Sequence, residues 1–167
     1  MKKEKVLLNA VIAYLVKDNE VLLAMKTKKI GEGCWNGYGG GIEAGESAVD
    51  AVVRELKEES GALAQPEHLQ KIAVVDFHNT KSDGTKFICR CHVFTTKEWT
   101  GEIKETDEMA NPTWFKINEL PLDRMMPADR YWLPRALLGT KIIAKAEYGP
   151  FQKELLSDVV LQEVKSF

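Results

Sequence analysis

The chain has 167 residues, with 23 lysines and arginines against 25 acidic residues, so its formal net charge at pH 7 is −2. This balance gives no overall attraction for a nucleic-acid backbone, and no apolar run is long enough to span a membrane. The three cysteines lack CxxC spacing, so neither disulfides nor zinc are indicated and a reducing cytoplasm is expected. The length suits one domain over residues 1–167.

Strands outnumber helices in the predicted elements. Apolar runs separated by turn residues predict seven strands, which are in chain order Val6–Val16, Val21–Lys26, Leu69–Asn79, Lys86–Thr96, Thr113–Lys116, Lys141–Glu147 and Leu155–Val164. Helices are predicted at Ser47–Ser60 and at Ala128–Leu138, which Pro127 opens, and a loop is predicted at Gly31–Gly37. This mixed order predicts an α+β fold with helices layered on a sheet.

The first predicted helix places three carboxylates on one face. At about 100° per residue, Glu55, Glu58 and Glu59 fall within about a third of the helix circumference. Such crowded like charges repel each other and favour a cation. Hard oxygen ligands suit Mg²⁺ or Mn²⁺, which also bind substrate phosphates. The pattern therefore predicts a metal site for phosphate chemistry, with a solvated acidic face as the alternative.

The residues around these carboxylates fit the same interpretation. Ser47 is a predicted N-cap with Asp50 three residues later, and Gly61 is predicted to end the helix. Arg54 lies four residues before Glu58 and is predicted to orient it by a bidentate contact. The preceding glycines, Gly39–Gly41, allow close approach of the backbone to a ligand or metal.

The segment from Gly40 to Ala62, GGIEAGESAVDAVVRELKEESGA, resembles the Nudix box at every fixed position, with Ala62 as a mild departure in the last aliphatic. Further motifs resemble the branch of oxidised-purine nucleoside triphosphatases related to MutT. These motifs are Met25-Lys26, Gly31–Gly40, Glu105–Met109, Trp114-Phe115 and Pro127–Trp132. The resemblance implies the Nudix fold, an α/β/α sandwich around a mixed sheet.

The resemblance also implies roles for individual residues. Mg²⁺, which Mn²⁺ can replace, would be held by Glu55, Glu58, Glu59, Glu108 and the Gly39 carbonyl. The catalytic residues would be Glu58, Glu59, Glu108 and Arg54, and the choice of general base among the three glutamates stays open. Substrate would be bound by Lys26 at the phosphates, Asn36 and Asp129 at the purine edge, Met109 against the base, and also by Tyr38, Gly39, Gly40 and Met126.

Each of four assignments has a purely structural alternative. Asn36 fits a turn, Asp129 a first-turn helix position, Lys26 a solvated strand end and Glu108 an ordinary loop acid.

Three positions depart from the branch. Met126 replaces a tryptophan, Ala128-Asp129 replaces two aspartates, and Gly41 replaces a lysine. Two adjacent acids can share a proton, whereas a single ionised Asp129 only accepts hydrogen bonds. It is therefore expected to favour guanine-type edges, which offer two N–H donors.

The resulting hypothesis is hydrolysis of purine nucleoside triphosphates such as 8-oxo-dGTP to the monophosphate and pyrophosphate, which sanitises the nucleotide pool. The expected partner is a small nucleotide rather than nucleic acid or a membrane, and both monomer and homodimer remain open. The alternatives are a Nudix hydrolase of a dinucleotide or ADP-ribose type compound, and a catalytically silent nucleotide-binding module.

Overall fold

The computed structural model describes residues 4–167, so residues 1–3 of the predicted domain lie outside the described chain. The described chain contains nine strands: β1 Asn9–Lys17, β2 Glu20–Lys26, β3 Trp35–Asn36, β4 Tyr38–Gly41, β5 Gln70–Thr80, β6 Lys86–Thr96, β7 Met109–Lys116, β8 Ile142–Glu147 and β9 Val160–Glu163. The same residues form two α-helices, α1 Ala48–Ser60 and α2 Asp129–Leu137.

The strands form a mixed sheet. Its order is β3-β2-β1-β6-β5-β8-β9, with β4 also paired to β1 and β7 also paired to β2. The β1–β6 and β5–β8 pairs are parallel and the remaining pairs are antiparallel. Parallel neighbours need crossover connections, which place helices on the sheet faces.

One helix covers each face of the sheet. Strand β1 alternates its side chains, so Val11, Ala13 and Leu15 contribute to the core under α1, whereas Ala10, Tyr14 and Val16 contribute to the core under α2. Val52 and Leu56 of α1 and Trp132 and Leu133 of α2 are fully or almost fully buried in these cores. Burial of each large apolar side chain contributes about 1.5–3 kcal/mol. The layered α/β/α arrangement is thus confirmed.

The predicted loop Gly31–Gly37 is partly wrong, because it ends in the short strand β3 and leads into β4. Strand β3 has only two residues, and the low strand propensity of glycine conceals β4, so neither strand could be predicted from the sequence. Pairing with β1 explains the glycines: a Cβ on Gly39 would lie 2.0 Å from the carbonyl oxygen of Val11.

Several predicted strand ends also shift. Strand β1 begins at Asn9 rather than Val6, β7 begins at Met109 rather than Thr113, and β9 is limited to Val160–Glu163. Cys89 and Cys91 are buried on one face of β6, and all three cysteines are free. Within residues 4–167 no helix is long and apolar enough to cross a membrane.

Candidate active site

Helix α1 is capped at both ends as predicted. The Ser47 hydroxyl accepts a hydrogen bond from the Asp50 N–H at 3.1 Å, which fixes the start of the helix. Gly61 has φ +82° and its N–H donates to the Lys57 carbonyl at 3.1 Å, which fixes the end. The burial of Val52 and Leu56 against the sheet then sets the rotation of the acidic face.

Arg54 connects four oxygen-bearing groups around the acidic face. Its Nε and Nη2 bind the two carboxylate oxygens of Glu46 at 2.8 and 2.9 Å, and its Nη1 donates to Glu55 Oε1 at 2.9 Å. Glu58 receives only a 3.3 Å contact, and Nη2 also donates to the Gly41 carbonyl at 3.1 Å. The predicted bidentate contact with Glu58 is therefore wrong, because Glu46 in the preceding loop lies across the fork of the guanidinium.

Glu59 carries the buried carboxylate of the acidic cluster. Its Oε1 accepts a hydrogen bond from the Gly39 N–H at 2.8 Å, and the residue is 8% exposed. Burial raises the pKa of Glu59 to about 8, and the charges of Glu55 and Glu108 act in the same direction. Burial also raises the pKa of Glu55, whereas Glu58 is exposed.

The donor set suits a divalent cation. The buried Glu59 carboxylate stands near two further carboxylates of the same sign, and a cation would relieve that crowding. Within residues 4–167 the acidic side chains do not form a ready-made set of three metal ligands. Arg54 binds Glu55 and Glu58, and Lys29 binds Glu108, so those carboxylates must turn to meet a metal.

Glu108 is brought to this cluster by the pairing of β2 with β7. Lys26 lies opposite Met109 in that register, and the Thr27 N–H donates to the Glu108 carbonyl at 3.1 Å. The Lys29 ammonium donates to Glu108 Oε1 at 3.0 Å and holds the pKa of that carboxyl below its usual value. Glu108 is thus joined to the cluster by sheet pairing rather than by sequence proximity.

Lys26 links the acidic cluster to a second region. Burial lowers the pKa of its ammonium, and the nearby charges of Glu59 and Glu108 oppose that effect. The Lys26 Cδ and the Met126 Sδ each lie 3.2 Å from the position that a Cβ on Gly31 would occupy. Lys26 therefore extends from the carboxylates towards the segment before α2.

Asp129 is the main polar group of this second region. It is the first residue of α2 and is 4% exposed, and its Oδ2 has no hydrogen-bond partner within the described chain. Burial raises the pKa of Asp129 to about 7. Burial raises the pKa values of Tyr14 and Cys34, and the charge of Asp129 acts in the same direction, which places both groups near Asp129.

The core between the sheet and α2 contains two further polar atoms for which the sequence predicted no role. The Tyr14 hydroxyl and the Trp132 Nε1 are buried without a hydrogen-bond partner among residues 4–167. A Cβ on Gly37 would lie 2.7 Å from the Tyr14 ring, so the glycine loop passes directly over this tyrosine. The sequence carries no signal for this contact, because the pairing of β1 with β4 brings the loop over Tyr14.

The remaining predicted substrate-binding residues make contacts within the protein itself. The Asn36 Oδ1 accepts a hydrogen bond from the Gly37 N–H at 2.8 Å, which is the turn alternative. The Glu55 carboxylate lies over Gly40, where a Cβ would be 2.4 Å from its Oε1. The side chains of Met109, predicted to pack on the base, and of Tyr38, predicted to bind substrate, are at most 1% exposed in the core under α1, and both roles stay predictions.

The chain belongs to the Nudix family, since the NUDIX domain pattern matches residues 6–136. It is 31% identical over 156 residues to the oxidized purine nucleoside triphosphate hydrolase of Mus musculus, covering 93% of this chain and 95% of the relative. The Danio rerio protein of the same name is 36% identical over 155 residues, covering 92% and 94%. The predicted family is confirmed.

Solved structures agree with the fold. The MutT protein from Bacillus halodurans superposes with a TM-score of 0.76 at 26% identity, covering 93% of this chain and 98% of that protein. The MutT Nudix hydrolase from Burkholderia pseudomallei gives a TM-score of 0.65 at 27% identity, covering 77% and 97%. The predicted Nudix fold is confirmed, and the chain is a member of a hydrolase family.

Proposed function

We propose that this protein hydrolyses purine nucleoside triphosphates, including 8-oxo-dGTP, to the monophosphate and pyrophosphate, and so sanitises the nucleotide pool. The observation that carries the proposal is the position of Lys26, between the acidic cluster and the segment that leads to Asp129. A nucleotide has the same layout, with phosphates at one end and a base at the other. The two relatives named oxidized purine nucleoside triphosphate hydrolase support this substrate class.

At the phosphate end, Glu55, Glu58, Glu59, Glu108 and the Gly39 carbonyl would hold Mg²⁺, which Mn²⁺ can replace. The ion would neutralise phosphate charge and acidify a water molecule. Glu58 is the best candidate for the general base because its carboxylate is exposed and therefore open to a water molecule. Lys26 would bind a phosphate oxygen as the bond between the α and β phosphates breaks.

At the base end, the unpaired Oδ2 of Asp129 would accept from a purine N–H. Asn36 would contact the same edge, and Met126 would pack on the ring with a flexible thioether. We further propose a single domain that acts on small nucleotides in the cytoplasm, where free cysteines are stable.

The test is a metal-dependent assay with dGTP, 8-oxo-dGTP, 2-oxo-dATP, ADP-ribose and a dinucleotide, with identification of the products. The wild type is expected to release pyrophosphate and monophosphate from the purine triphosphates. Glu58→Gln should lower kcat at least about 100-fold and remain folded, because it removes a base or ligand but keeps the shape. Glu43→Gln is the matched control, since Glu43 is exposed and 3.8 Å from Arg54.

Other outcomes separate the alternatives. Orthophosphate as the first product, or a near-normal rate for folded Glu58→Gln, would contradict the proposal. Preferred cleavage of ADP-ribose would favour the second candidate, which the 30% identity to the ADP-ribose pyrophosphatase of Methanocaldococcus jannaschii over 124 residues supports. Binding without turnover of any substrate would indicate a silent nucleotide-binding module.

A further inference from the structure

Lys29 occupies an unusual position beside the acidic cluster. It lies in the loop between β2 and β3 and has φ +66°, in the left-handed region that residues with a Cβ rarely adopt. Its ammonium donates to Glu108 Oε1 at 3.0 Å. Lys29 is not among the residues that would bind metal or substrate in the proposed function.

The chain around Lys29 ties this loop to the segment that carries Glu108. The Thr27 N–H donates to the Glu108 carbonyl at 3.1 Å, and the Thr27 hydroxyl donates to the Asp107 carbonyl. Within the loop, the Gly33 N–H donates to the Lys26 carbonyl at 2.8 Å. These bonds place the Lys29 side chain over Glu108.

The ion pair can be exchanged for other contacts. The Lys29 and Glu108 side chains are 57% and 40% exposed, and ion pairs between exposed side chains are weak. A divalent ion that binds Glu108 would therefore displace the ammonium at little cost. The displaced ammonium would remain next to Lys26, at the end of the site where substrate phosphates would bind.

We propose that Lys29 is a second phosphate-binding lysine that holds Glu108 in the free protein. When a divalent ion takes Glu108, the Lys29 ammonium moves to the terminal phosphates of the nucleoside triphosphate. This inference rests on the proposed function, because it uses Glu108 as a metal ligand and a polyphosphate as substrate. Lys29 is thereby a substrate-binding residue that exchanges one anionic partner, Glu108, for another, the terminal phosphates.

The test compares Lys29→Met with Lys28→Met, which removes the same charge from the adjacent exposed residue. Mn²⁺ binding is measured first, on protein without nucleotide, by electron paramagnetic resonance or calorimetry. Lys29→Met should bind Mn²⁺ about threefold more tightly, because Glu108 is freed from a weak ion pair. Its KM for the triphosphate should rise about tenfold, as expected for loss of a charge-assisted hydrogen bond, with a smaller change in kcat. Lys28→Met should leave both quantities within about twofold of the wild type.

The variant Lys29→Gly distinguishes the contribution of the Lys29 side chain from that of the loop backbone. Glycine adopts a positive φ without strain, so this variant should unfold at a higher temperature than Lys29→Met but share its raised KM. A normal KM for Lys29→Gly would show that the loop backbone, rather than the ammonium, determines binding, and would overturn the proposal. Unchanged Mn²⁺ affinity in both Lys29 variants would overturn it as well. Failure of the proposed function is seen separately, as a wild type that cleaves no triphosphate.

Discussion

At the residue scale, Asp129 has the most consequential environment in the base region. Burial raises the pKa of its carboxyl to about 7, so near neutral pH it exchanges between a form that only accepts and a form that also donates. In the resembled branch two adjacent aspartates share this task, and here Ala128 takes the first position. Ala128 is fully buried and its N–H donates to the Tyr148 hydroxyl at 2.8 Å, so Asp129 has no acidic neighbour at this position.

The first prediction is that Asp129→Asn stabilises the protein at alkaline pH. The pKa of Asp129 is higher in the folded state than the unfolded value of about 3.9. The folded state therefore holds the proton more tightly, and this stabilisation is complete below about pH 4 and lost as the pH rises to about 7. An uncharged asparagine avoids that loss, on the order of a few kcal/mol. The unfolding temperature of the variant should exceed that of the wild type at pH 8 and approach it at pH 4.5.

Asp123→Asn is the control for this prediction. Asp123 is 95% exposed and pairs with Arg130 at the surface, so its substitution should change the unfolding temperature little at either pH. Parallel pH dependence of Asp129→Asn and the wild type would show that Asp129 does not carry the predicted linkage.

The site residues differ in how far the sequence could define them. Glu55, Glu58 and Glu59 follow from helical spacing, which is local. Glu108 and Asp129 came only from the resemblance, since sheet pairing and the start of α2 bring them to the site. The burial of Met109 and Tyr38 under α1 could not be predicted, because the face to which a strand residue points depends on register.

At the element scale, β4 is the strand that joins the sheet to the acidic helix. It pairs with β1 on one side, and the Gly39 N–H donates to Glu59 on the other. Its sequence, Tyr-Gly-Gly-Gly, has a single side chain, so it lacks the alternation of apolar and polar side chains that predicts a strand. The capped helix α1 was predictable from local chemistry, whereas β3 and β4 depend on their neighbours.

The second prediction is that two adjacent glycines of β4 differ in their effects on stability and metal binding. In Gly39→Ala the new Cβ would lie 2.0 Å from the Val11 carbonyl oxygen, which is backbone and cannot turn away. We expect a loss of about 1–3 kcal/mol or more in the free energy of unfolding. In Gly40→Ala the Cβ would lie 2.4 Å from Glu55 Oε1, and that side chain can rotate. Gly40→Ala should therefore lose less stability but bind Mn²⁺ about tenfold more weakly, as expected for a displaced ligand.

Urea unfolding and Mn²⁺ titration of the two variants check this prediction. Gly41→Ala is the control, because its Cβ would meet only the movable end of the Leu7 side chain, at 2.8 Å. Equal destabilisation by Gly39→Ala and Gly40→Ala, with unchanged Mn²⁺ binding in the latter, would mean that Glu55 does not hold the metal.

At the scale of the whole molecule, the candidate site joins the two helical layers. Helix α1 and Glu59 lie on the face of the sheet that carries Val11 and Leu15, whereas Asp129 lies on the face that carries Tyr14. Lys26, at the end of β2, lies between them. A bound triphosphate would therefore contact both layers, with its phosphates on the α1 side and its base on the α2 side.

The last prediction uses this division to locate the two ends of the ligand by hydrogen exchange. Pyrophosphate with Mg²⁺ should slow exchange in the second half of α1 and around Glu108, because it supplies only the charged part of the substrate. Deoxyguanosine should slow exchange at residues 31–36 and at the start of α2, where Asp129 would accept from the base. A triphosphate with Mg²⁺ should protect both regions, and deoxyuridine, which lacks the purine edge, should protect neither. Protection of the same residues by pyrophosphate and deoxyguanosine would contradict a site that extends across the layers. Protection around Asp129 by pyrophosphate alone would reverse the orientation of the substrate, and with it the assignment of Asp129 to the base.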